Sequence, residues 1–150
     1  MKKFLFLLLS VAVASGMFSS CELETSGAGA FDGMWHLVMV DTVSTGGKLD
    51  MSKKRIYWCF QYKLMQTDDK DGSYQPILMR FSHEHNALFL TEPYVYDREN
   101  GDKPITNESE LFFLTPYGIN KINEEFKVIS ISSNKMQLQS QMLKLTFKKF

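Results

Sequence analysis

The chain has 150 residues, enough for one domain with its own core. Its 17 basic and 17 acidic side chains balance. It offers neither the basic stripe that nucleic acid requires nor a polybasic run for anionic lipid. Residues 1–20 read as an export signal. Lys2 and Lys3 form the positive start, the run Phe4 to Phe18 is apolar, and the small residues Ser19 and Ser20 follow. The apolar run falls short of the roughly 20 residues that span a bilayer comfortably. Lys2 and Lys3 leave with the signal, so 15 basic face 17 acidic side chains in the remainder.

The next residue is Cys21, one of two cysteines. The stretch Phe18-Ser19-Ser20-Cys21 resembles the lipobox of bacterial lipoproteins: an apolar residue, two small ones, then a cysteine that becomes the mature N-terminus. That resemblance implies a thiol carrying diacylglycerol and an acylated amine. Several acyl chains, each contributing about 0.8 kcal/mol per buried CH₂, hold where one chain is marginal. Phe18 stands where the commoner residue is leucine. Residues 21–30 then read as the lipidated cysteine and a short, acidic, small-residue tether, and residues 31–150 as the folded domain. A Cys21–Cys59 disulfide is disfavoured, because a cysteine in a leader is poorly placed to staple a core.

From Phe31 onward the apolar period is close to two, as strands require. Trp35 to Val43 is an apolar, β-branched run bounded by Gly33 and by Gly46-Gly47. Arg55 to Met65 alternates, with Ile56, Trp58, Phe60, Tyr62 and Leu64 expected on one face. Thr67 to Ser73 is a turn cluster. Tyr74 to Ser82 and Ala87 to Tyr96 are expected strands joined by His83 to Asn86, with Pro93 marking an edge, bulge or break. Asp97 to Glu110 is a polar loop. Leu111 to Ile119 fits either a short strand or a helical turn. The C-terminal part reads as a meander: Phe126, Val128 and Ile131 with an irregularity near Ile129, a turn at Ser133 to Lys135, then Met136 with Leu138, and Leu143, Leu145 and Phe147. Seven or eight short strands with hairpin-length connections predict an all-β, eight-stranded antiparallel up-and-down barrel, since closure removes exposed edges.

Within this pattern, Gly33-x-Trp35 at the head of the first strand resembles the G-x-W signature of lipocalins. The stretch Pro116 to Phe150 resembles the closing strands of small lipocalin-like lipoproteins of Gram-negative bacteria. The resemblance implies a barrel closed at one end by the tryptophan, with a basic residue of the last strand lying across it. Lys148 or Lys149 matches that residue where the family usually has arginine; lysine keeps the cation–π contact and loses planar stacking.

A barrel of this size is either filled by side chains or holds one small ligand. Trp58, Phe60, Tyr62, Met79, Phe81, Tyr94, Phe113 and Tyr117 are the candidate lining residues, and packing a solid core is their other reading. His83 and His85 have the spacing of a zinc pair but fall at an expected hairpin tip without a third ligand. Cys59 is expected as a buried, inert thiol, and His36 as a polar-face or internally satisfied residue. No nucleophile–base arrangement, phosphate loop or carboxylate pair is legible, so neither catalysis nor a cofactor is expected. The resulting expectation is a non-catalytic, lipid-anchored protein of the cell envelope, in the outer membrane. It would bind a small apolar or amphipathic ligand. The alternative is a contact module for another envelope protein, with Asp97 to Glu110 as the contact loop.

Overall fold

The computed structural model describes residues 27–150, so the expected export signal and Cys21 lie outside the described residues. In chain order the strands are β1 (Gly33–Thr42), β2 (Lys48–Asp50), β3 (Ile56–Gln61), β4 (Leu64–Asp69), β5 (Ile77–Glu84), β6 (Ala87–Val95), β7 (Lys103–Pro104), β8 (Glu124–Ile131), β9 (Lys135–Gln139) and β10 (Leu143–Lys149). Eight of them form the closed antiparallel barrel, while β2 and β7 pair only with the rims of β1 and β6. Strand β1 closes it. Its first residues pair with β3, from Gly33 opposite Phe60 to His36 opposite Tyr57. Its other edge pairs with β10, from Trp35 opposite Lys149 to Thr42 opposite Leu143.

The sequence reading of Arg55 to Met65 as one strand is corrected by a hairpin. Gln61 pairs with Leu64 across a turn made by Tyr62 and Lys63. Neither residue is a usual turn former, and Tyr62 sits at φ 56°, which aromatic side chains rarely adopt. The turn reverses the alternation: Tyr62 is 59% exposed and Leu64 40%, while Met65 is fully buried. By contrast, His85 and Asn86 both have positive φ, the geometry a tight two-residue hairpin needs.

Irregularities fall where the strands bend. A register shift between Val128 and Ser130 matches the break expected near Ile129. Another, between Leu78 and Arg80, faces Glu92 and Pro93 on β6, with Glu92 at φ 51°. The extra residue puts Pro93 inside and Tyr94 on the outer wall. The polar loop after β6 is tied by its own acids: Asp97 accepts from the amides of Glu99 and Asn100, and Asp102 from that of Asp97. Leu111 to Ile119 is helical rather than extended, with 3₁₀ turns at Glu108–Phe113 and Thr115–Tyr117.

The two ends of the barrel differ. At the closed end, the 3₁₀ turn Gly29–Phe31 buries Ala28 and Phe31 in the core. Ala28 and Phe31, on either side of the boundary expected at residue 31, thus share one core. At the mouth, Leu114, Tyr117 and Ile119 are fully buried and cover the barrel. Gly118 makes that cover possible. Its φ is 81°, and a Cβ there would stand 2.8 Å from Cδ2 of Leu145. Gly118→Ala is expected to cost about 1–3 kcal/mol, from left-handed backbone strain together with the clash, read as a lower denaturation midpoint in urea.

Candidate functional site

The closed end is built around Trp35. Its indole Nε1 donates to the carbonyl of Phe31 at 2.7 Å, which satisfies a fully buried polar group. The Lys149 ammonium lies 4.3 Å from the Trp35 ring centroid and donates to the carbonyl of Asp32. Of the two lysines considered from sequence, Lys149 occupies this position. Gly33, at φ 99°, leaves room for it: a Cβ would lie 3.1 Å from the Lys149 Nζ. Gly33, Trp35 and Lys149 are thus one architectural unit.

The interior is filled. Trp58, Phe60, Met79 and Tyr117 are at most 1% exposed and Phe81 is 9% exposed. Trp58 packs on Phe147 at 4.9 Å and edge-on to Phe126 at 5.6 Å, and Phe60 meets Phe81 edge-on at 5.0 Å. Such pairs each add about 0.5–1.5 kcal/mol beyond area burial. These residues therefore form a solid core where a ligand chamber was considered. The other three candidates leave the interior altogether. Tyr62 is at the β3–β4 turn, Tyr94 is on the outer wall beyond the β6 bulge, and Phe113 is half-buried at the rim, its ring tilted 35° to that of the exposed Phe112 at 4.1 Å.

The mouth cover is held by polar bonds. Trp58 Nε1 donates to the carbonyl of Tyr117 at 3.1 Å, and Tyr117 Oη donates to that of Gln75 at 2.9 Å. The buried Glu124 carboxylate accepts from the Asn120 amide at 2.9 Å. Burial pushes the Tyr117 phenol up from its ordinary 10 to about 12.

Beside this cover lies an apolar cleft of about 300 Å³. Val40 and Leu143 come from the barrel wall, Leu49 and Met51 from the β2 flap, Ile56 from β3, Tyr74 from the β4–β5 loop, and Pro116 from the cover. Asp50 and Lys54 also line it. The Ser52 hydrogen bond holds the Asp50 carboxyl below its usual range, so Asp50 is anionic at neutral pH. Leu49 and Tyr74 are 58% and 48% exposed. Sequence reasoning passed over these residues. The available signal was the pair Leu49 and Met51 in a segment otherwise polar, just after Gly46-Gly47.

The remaining sequence candidates are placed individually. His83 packs edge-on against Phe31 at 5.1 Å, and His85 occupies the β5–β6 turn. Among the described residues no three His, Cys, Asp or Glu side chains cluster as metal ligands. His36 Nε2 is 2.6 Å from the carbonyl of Lys54 and stacks on Tyr57. Cys59 is half-buried, and its burial, with Asp68 adding to it, pushes the thiol up and keeps it protonated at neutral pH.

The raised phenol of Tyr117 makes the cover sensitive to alkali. Unfolded, the phenol titrates near 10; folded, near 12. Its contribution is complete below pH 10 and is lost as pH rises toward 12. Thermal melts across this range should show that loss in the native chain. Tyr117→Phe should lower stability below pH 10 and remove this component of the alkaline decline.

With this geometry established, comparisons place the chain. A profile of the lipocalin-like domain matches residues 16–150. A lipocalin-like protein from Bacteroides uniformis superposes with a TM-score of 0.61 at 18% identity, over 81% of this chain and 100% of that one. An uncharacterized protein from Bacteroides eggerthii superposes with a TM-score of 0.54 at 19% identity, over 80% and 99%. At these identities the likeness is one of fold. A comparison with curated proteins gives no match. The closed eight-stranded barrel with its Gly33-x-Trp35 corner, and the family match across nearly the whole chain, show that this protein belongs to the lipocalin-like domain family.

Proposed function

We propose that this chain is an exported protein, held in the outer membrane by lipid on Cys21, that binds one small amphipathic molecule without transforming it. The cleft at the barrel mouth carries this reading. Its volume, about 300 Å³, is at the lower end of ligand sites and suits a short acyl chain or a single ring system. Its lining is mostly aliphatic and aromatic, while Asp50 and Lys54 supply opposite charges beside a ligand's polar head. The filled interior supports binding at the rim rather than in a central chamber. A non-catalytic role agrees with Cys59 being a protonated thiol and Asp50 an ion already engaged by Ser52.

Titration with an environment-sensitive fluorescent fatty acid should saturate at one probe per chain. Leu49→Asp and Tyr74→Ser, both at exposed positions, should each weaken binding at least about tenfold, the equivalent of about 1.4 kcal/mol, and leave the circular dichroism spectrum unchanged. Non-saturable binding, or binding indifferent to both changes, would contradict the cleft. The anchor is tested separately. Cys21→Ala should abolish metabolic labelling by a radioactive fatty acid, and labelling that persists would exclude Cys21 as the attachment point.

A further inference from the structure

We infer that the closed end of the barrel is a membrane-docking face, laid on the lipid headgroups of the bilayer that holds Cys21. This rests on the reading of Cys21 as the anchor and adds an orientation to it. The first observation is where the tether arrives. Gly27, the first described residue, lies at the closed end, within 3.9 Å of the Tyr62 backbone for an added Cβ. Five residues separate it from Cys21, so the connection reaches at most roughly 20 Å when fully extended. A ten-residue strand is longer than this, at about 33 Å before tilt. The closed end is therefore the part of the barrel the anchor brings nearest the bilayer.

The second observation is what that end exposes. Tyr62 is 59% exposed at the tip of the β3–β4 turn, Phe150 is 81% exposed beside Met34, and Ile129 is 42% exposed near the β5–β6 turn. Aromatic side chains with one apolar and one polar edge favour the membrane–water interface. The third observation is charge. Lys63, Lys135 and Lys148 gather at this end from separate turns and strands, against Asp32 and Glu84, while Lys149 is already held over Trp35. The mouth is mixed in charge: Asp50, Asp71, Asp97, Asp102 and Glu108 stand there among Lys53, Lys54, Arg55, Lys70, Arg98 and Lys103. Glu22 and Glu24 in the tether offset part of the lysine charge, so the contact depends on the aromatic tips together with the lysines. Long lysine stems can lie along the interface while their ammonium groups meet phosphate. Docked this way, the barrel turns its apolar cleft toward the aqueous side.

Tryptophan scanning in vesicles tests the orientation. Trp35 and Trp58 are fully buried, so the unaltered chain provides the background emission. The full chain, expressed with its own signal and acylated, is reconstituted in phosphatidylethanolamine–phosphatidylglycerol vesicles with brominated acyl chains. Tyr62→Trp and Phe150→Trp report the closed end, and Val43→Trp reports the mouth. The expected result is co-flotation with the vesicles, blue-shifted and strongly quenched added emission at positions 62 and 150, and unquenched emission at 43. A chain that does not float loses the anchor, and the docking with it. A chain that floats with positions 62 and 150 unquenched keeps the anchor and overturns the docking, leaving that end facing water or a protein. Quenching at 43 instead would show the mouth against the membrane and overturn the orientation.

Discussion

The fold depends on one strand being hydrogen-bonded along both edges. Strand β1 pairs with β3 at its start and with β10 along most of its length, and this turns an eight-strand meander into a barrel without open ring edges. The β1–β10 pairings run between residues at opposite ends of the domain, so closure must offset considerable chain entropy. The Trp35 corner secures it. Indole, Phe31 carbonyl and Lys149 ammonium tie the residues before β1, β1 itself and the end of β10 into one buried or half-buried cluster. Gly33 is required there because its backbone is left-handed and its missing side chain admits the lysine.

Closure at this size leaves a narrow interior, and the chain fills it with large rings. Phe60, Phe126 and Phe147 each stand 4.9–6.2 Å from the Trp58 ring, so packing takes the volume a ligand would need. Recognition then moves to the rim, where apolar side chains remain partly exposed. The segment 114–120 separates core from cleft. It buries Tyr117 against the core and presents Pro116 to the cleft, with Trp58, Gln75 and Glu124 fixing its backbone and its one phenol.

Much of the fold was legible because period-two alternation directly reflects a sheet with one buried face. Met136 and Leu138, expected on one face, are both fully buried; of Leu143, Leu145 and Phe147, expected together, the last two are fully buried and Leu143 partly. The errors cluster where local chemistry disagrees with tertiary demand. Tyr62 and Lys63 carry no turn signal, yet the chain reverses there because β4 must return along β3. Tyr94 continues an apolar strand, yet the bulge at Glu92–Pro93 transfers it to the outer face. One added residue is enough, since a shift of one inverts every side chain beyond it.

The candidate site was far less legible than the fold. Val40, Leu49, Met51, Tyr74 and Leu143 come from distant parts of the chain, and none belongs to a motif. Lys63, Lys135 and Lys148 are likewise dispersed in sequence, and only the strand pairings bring them to one end of the barrel. What the sequence by itself determined was the alternation and the Gly33-x-Trp35 corner. These depend on neighbouring residues and on covalent order. The filled interior and the cleft were decided by tertiary structure alone, because each depends on which distant side chains closure brings into one space.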